Sequence, residues 1–149
     1  MLVKEILRVK GGVLYTTTPE QSLADVVASM ADLDVGSLVV MAGGKMVGMV
    51  TFREVLQAVK AANVSGKSPT VREVMVADPV TVSPEMDAIS LRRLMIEKHS
   101  RYLPVVENGD LQGVISFLDV AKAVLEEQSL ENTLLKNYIK NWPEEAAGA

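Results

Sequence analysis

Two short phrases carry the residues best suited to chemistry: GMVTFREV, residues 48–55, and GVISFLDV, residues 113–120. Each runs from a glycine through two apolar residues to a hydroxyl, Thr51 or Ser116, with an acid three positions on, Glu54 or Asp119. That spacing is the capping box of a helix start, in which hydroxyl and acid each satisfy a free backbone N–H. It is also a workable ligand grip. Gly48 and Gly113 let a molecule approach the backbone closely. Free N–H groups at a helix start attract phosphate, and an acid one turn in can accept from the vicinal hydroxyls of a ribose.

The phrases belong to a repeat. With an offset of 65, residues 16–59 lie on 81–124 without a gap, and 12 of the 44 pairs are identical, including Pro19/Pro84, Glu20/Glu85, Gly48/Gly113 and Phe52/Phe117. Upstream, VKEIL (3–7) matches VREVM (71–75) once three extra residues are allowed for.

The elements that must position the phrases follow from pattern. TTTPE and TVSPE are extended up to the proline, which disfavours helix in the residue before it. Leu23, Val26, Val27, Met30 and Leu33 share one face of a helix capped by Ser22, and Leu91, Leu94 and Met95 face inward from a helix capped by Asp87. SLVVM (37–41) and YLPVV (102–106) are short buried strands. The turns AGGK and ENGD lead to the return strands MVGMV and LQGVI, Asn108-Gly109 suiting a type I′ hairpin. FREVLQAVK and FLDVAKAVLEE are helices.

The expected fold is therefore α/β (α+β): two pseudo-twofold related β-α-β-β-α units that pack sheet to sheet, because so short a unit buries little alone. The boundaries are 1–62 for unit 1, 63–70 for the linker, 71–127 for unit 2 and 128–149 for a C-terminal helix and frayed tail. In that last helix Leu130, Leu134, Tyr138 and Ile139 share a face, and it is expected to run to Trp142 before Pro143. The apolar stripe suits either its own domain or a second copy.

Composition bounds the function. Of 149 residues, 48% are hydrophobic but only 4% aromatic, so the core is aliphatic. The net charge of −4 argues against a general nucleic-acid binder, which needs a basic field. With no cysteine and one histidine, His99, neither a thiolate nor a convincing nucleophile–base pair or metal cluster is on offer. No catalytic and no metal-ligating residue is assigned. His99 reads as structural or solvated, and the eight methionines as core fillers. The start MLVKEILRVK lacks the apolar run of a signal peptide, and no span of 18 uncharged apolar residues occurs, so a cytoplasmic protein that neither enters a membrane nor binds nucleic acid is expected.

VREVMVADPVTVSPE, SRYLPVVENGDLQGVISFLDV and the looser copies VKEIL…TTTPE and GSLVVMAGGKMVGMVTFREV together resemble a tandem pair of cystathionine-β-synthase (CBS) domains, the Bateman module, over residues 3–125. The resemblance implies a regulatory, non-catalytic module that binds adenosine-bearing ligands in the cleft between its units. AMP is the first expectation, with ADP, ATP, NAD or S-adenosylmethionine as alternatives. It also implies a homodimer, a flat disc of four units, signalling to a separate, unidentified effector protein. Residue by residue, it implies that Asp119 holds the ribose hydroxyls, Ser116 the ribose or phosphate, and Arg101 the phosphate. Gly12, Val13, Val35 and Gly36 would wall the adenine, with Val114 beneath it and Tyr102 close by. The first copy departs from the pattern: Glu54 is a methylene longer than the usual Asp, and Gly36 stands where the second copy has Arg101. The seat at Thr51 and Glu54, walled by Ser100, Arg101, Ala77 and Pro79, is expected to be the weaker one. The rival to a nucleotide sensor is a ligand-independent dimerisation scaffold.

Overall fold

The structure, a computed structural model, describes residues 1–141, with Val64 and Ser65 described in backbone only. Its centre is a pair of matching hairpins. β2 (Ser37–Ala42) and β3 (Lys45–Thr51) form one, and β5 (Tyr102–Glu107) and β6 (Asp110–Ser116) the other. Each turn needs positive φ at both central residues, which Gly43-Gly44 (58° and 76°) and Asn108-Gly109 (52° and 82°) supply, as a type I′ turn requires. β1 (Thr16–Thr17) lies parallel to β2, and its counterpart in the second half is the parallel bridge from Val82 to Val105.

Two helices cover each hairpin. α2 (Leu23–Leu33) starts where Ser22 Oγ accepts from Asp25 N at 3.1 Å, and α5 (Ala88–Lys98) where Asp87 Oδ1 accepts from Ser90 N at 2.8 Å. α3 (Phe52–Ser65) and α6 (Phe117–Lys140) leave the return strands directly from Thr51 and Ser116. β3 and β6 face each other where the two halves meet, so sheet packs on sheet. The inward stripe of α2 is narrower than its pattern suggests: Leu23, Val26 and Met30 are buried, whereas Val27 and Leu33 are each 42% exposed.

The short helices at the front of each half are exchanged. α1 (Val3–Lys10) places Val3 and Ile6 in the core formed by Val82, Leu91, Leu103, Val105 and Ile115 of the second half. α4 (Val71–Val74) places Val71 among Val26, Met30, Leu38 and Val50 of the first. The same backbone bonds dock both. Val3 N donates to Met86 O (2.8 Å) and Lys4 N to Pro84 O (2.9 Å), while Val71 N donates to Gln21 O (2.8 Å) and Arg72 N to Pro19 O (3.0 Å). The repeat thus extends to individual hydrogen bonds, with the ends crossed over.

The repeat breaks after these helices. α4 is four residues long and leads straight into β4 (Val76–Ala77), which pairs with β3 through Gly48 and Met49. α1 is eight residues long, its extra turn absorbing the three additional residues of the first copy, and it ends at Gly11 with φ 93°. Among the described residues no strand pairs with the outer edge of β6.

One expectation is corrected at the chain end. Residues 117–127 and 128–140 form a single helix of 24 residues rather than two. The segment contains neither glycine nor proline, so nothing interrupts it. It closes at Lys140 with Asn141 as C-cap. The expected stop before Pro143 and the frayed tail lie outside the described residues.

Candidate functional site

Both repeated phrases fold as capping boxes, and the first fronts on residues of the second half. At the second, Ser116 N donates to Asp119 Oδ2 at 2.8 Å and Asp119 N to Ser116 Oγ at 3.1 Å. At the first, Thr51 N and Thr51 Oγ1 each donate to Glu54 Oε1 at 2.9 Å. The extra methylene of Glu54 lets its carboxylate fold back onto both Thr51 groups, and the residue is only 8% exposed. Each carboxylate keeps a second oxygen outside the capping bonds, and Glu54 lines a cavity.

The Thr51–Glu54 seat opens on a cavity of about 530 Å³. Ser100, Arg101 and Pro79 stand with it, as does Tyr102, and Phe52 adds an aromatic edge. Ala77, which pairs with Gly48 in the first sheet, does not line the cavity, although its neighbour Val76 does. His99 also lines the cavity. Its backbone is the left-handed cap of α5 (φ 51°), the same part that Asp34 (φ 54°) plays at the end of α2.

Val13, Val35, Gly36, Tyr102 and Val114 line a cavity of about 290 Å³ together with Lys10; Ser116 and Asp119 do not line it, and Lys10 links it to Asp119. Gly12 lines the adjoining space of about 640 Å³, which shares Lys10, Val13 and Val114. Tyr102 stands between the two seats, lining both cavities. It is packed so tightly on Gly36 that a Cβ there would lie 1.8 Å from its hydroxyl oxygen and 2.8 Å from Phe52 Cε2.

The two cavities are lined by different cations. Arg101 lines the Thr51–Glu54 cavity and is absent from the one beside Val114. The cation at Asp119 is Lys10, whose Nζ donates to Asp119 Oδ2 at 2.8 Å and to the Val114 carbonyl at 2.9 Å. Val114 is the repeat counterpart of Met49, which in the first half pairs with β4. The ammonium of Lys10 thus bonds the edge that a fourth strand would occupy. Burial disfavours the charge on Asp119, but the Lys10 and Ser116 hydrogen bonds outweigh it and hold the carboxyl below its ordinary value. The signal that could have found Lys10 is the three-residue mismatch between the VKEIL and VREVM copies.

The profile of the CBS domain matches the chain twice, over residues 3–61 and 71–126. The chain belongs to the CBS-domain family. A solved CBS-domain protein from Burkholderia ambifaria shares 33% of its sequence and superposes with a TM-score of 0.79 over 86% of this chain and 96% of its own. The mitochondrial CBS-domain protein CBSX3 of Arabidopsis thaliana is 29% identical over 93% of this chain and 71% of its own length. A second structure, CBSX2 in complex with AMP, has the same fold at 23% identity and a TM-score of 0.72, covering 85% of this chain and 98% of its own. The crossed helices and the paired phrases are thus the frame of a CBS pair.

Proposed function

We propose that this CBS pair is a regulatory, non-catalytic module that binds an adenine nucleotide between its units and passes the signal to a separate effector protein. The observation that carries the reading is the arrangement of the two seats. Thr51 and Glu54 line a cavity together with Arg101 of the other repeat, and Asp119 is bonded to Lys10, which lines the cavity beside Val114. The cavity at Thr51–Glu54, of about 530 Å³, is within the range of small-molecule sites, and the one beside Val114, of about 290 Å³, adjoins a further space of about 640 Å³. The AMP complex of CBSX2 supports an adenosine ligand. Asp119 accepts the ribose hydroxyls, and Val13, Val35, Gly36 and Val114 surround the base. A ligand that touches both units shifts their relative placement only so far as it contacts the two arrangements differently.

One observation favours a second reading. Both capping boxes are complete, and Lys10 already satisfies Asp119, so the phrases could serve the fold alone in a dimerisation scaffold. Thermal unfolding against AMP, ADP, ATP, NAD and S-adenosylmethionine separates the two. A ligand at a hundred times its dissociation constant adds about 2.7 kcal/mol of stability, which moves the midpoint visibly. A raised midpoint with at least one of them is expected. No shift with any supports the scaffold.

A further inference from the structure

The contact between Lys10 and Asp119 does more than neutralise a carboxylate. If Asp119 is the ribose seat, as proposed above, Lys10 competes for that seat: it bonds Oδ2, one of the two oxygens a ribose would use, and the Val114 carbonyl beside it. An incoming nucleoside must evict this ammonium, and the eviction leaves Lys10 without its carboxylate. An incoming nucleotide offers a replacement. Its phosphate is an anion attached to the same ribose, within reach of a flexible four-carbon side chain carrying three donors.

The position of Lys10 fits this exchange. It is the last residue of α1, where the helix dipole favours a cation, and α1 is anchored on the second half by the buried Val3 and Ile6. The chain then turns at Gly11 (φ 93°). The lysine backbone is therefore fixed while its side chain is 34% exposed, against 18% for that of Asp119. Lys10 lines both the cavity of about 290 Å³ on the base side and the adjoining one of about 640 Å³, so its side chain has open space beside it other than at Asp119. In the first half the equivalent turn of helix is missing and β4 takes its place. The device belongs to this seat alone.

We infer that Lys10 is a specificity-determining residue: by occupying the ribose seat until a phosphate draws it away, it makes the site take phosphorylated adenosine and turn away the bare nucleoside.

The test is calorimetric titration of AMP and adenosine into wild type, Lys10→Met, Lys10→Arg and Asp119→Ala. Wild type should prefer AMP by about tenfold or more, the scale of one charge-assisted hydrogen bond. In Lys10→Met the preference should collapse, with AMP weaker and adenosine tighter than in wild type, whereas Lys10→Arg should retain it. A Lys10→Met protein that keeps the wild-type ratio, with Asp119→Ala impaired for AMP, overturns the inference while the ribose seat stands. AMP binding that Asp119→Ala leaves unchanged, or no binding to wild type, overturns the ribose seat and the inference with it. Unfolding midpoints without ligand check that each variant is folded, and Lys10→Arg preserves the charge if Lys10→Met is not.

Discussion

At the scale of single residues, Asp119 is held by Ser116 N, by Lys10 and by its place in the first turn of α6. Because its carboxyl lies below the ordinary value of 3.8 in the folded protein, ionised Asp119 stabilises the fold above that value, and the contribution fades as pH falls through the folded one. Urea midpoints of wild type and Asp119→Asn should therefore differ most at neutral pH and converge in strong acid; a pH-independent gap would contradict the assignment. Ser116→Ala removes the partner of Asp119 N and should cost about 1 kcal/mol, as N-cap losses do, read by urea denaturation. Gly36 is constrained by the neighbour it touches. Gly36→Ala should destabilise by about 1–3 kcal/mol, the usual cost of overpacking, and by less in a Tyr102→Ala background because the main clash is gone. Additive costs would show that Tyr102 is not the obstacle. The acids and hydroxyls of both seats were legible as spacing. Lys10 was not, because its partner lies 109 residues away and only the fold brings the end of α1 to that point.

At the scale of elements, hairpins, caps and turns were legible because each rests on local chemistry: paired positive-φ residues, a hydroxyl or acid at a helix start, and short apolar runs. The exchange of α1 and α4 was not. VKEIL and VREVM look alike, so their pattern names a helix face without saying which core receives it. Nor did the pattern show that α6 continues past Glu127, since a change of apolar stripe resembles a boundary when no breaker residue marks one. The exchange makes a directional prediction. Ile6→Ala should cost about 2–5 kcal/mol, as large-to-small core changes do, and amide exchange should quicken in β5 and β6 more than in β2 and β3. Loss of protection mainly in β2 and β3 would show that α1 packs on its own half.

For the whole molecule, the exposed faces point outward to assembly. Leu130, Leu134, Leu135, Tyr138 and Ile139 of α6 are each at least 57% exposed in the single chain, an apolar surface that a monomer has little reason to keep. A homodimer formed through α6 should sediment at twice the mass of the chain, and Leu134→Glu with Ile139→Glu should return it to the monomer without unfolding it; a monomeric wild type would contradict the assembly. Crossing α1 and α4 ties together two halves with similar junctions, which differ in having Arg101 near the first and Lys10 at the second. The central claim is that Asp119 holds the sugar of an adenine nucleotide, and a calorimetric titration of AMP into wild type and Asp119→Ala tests it most directly. Saturable binding to wild type that weakens by about tenfold or more in Asp119→Ala, the worth of a charge-assisted hydrogen bond, is the predicted result. Equal affinity in the two proteins, or no binding to wild type, would contradict it.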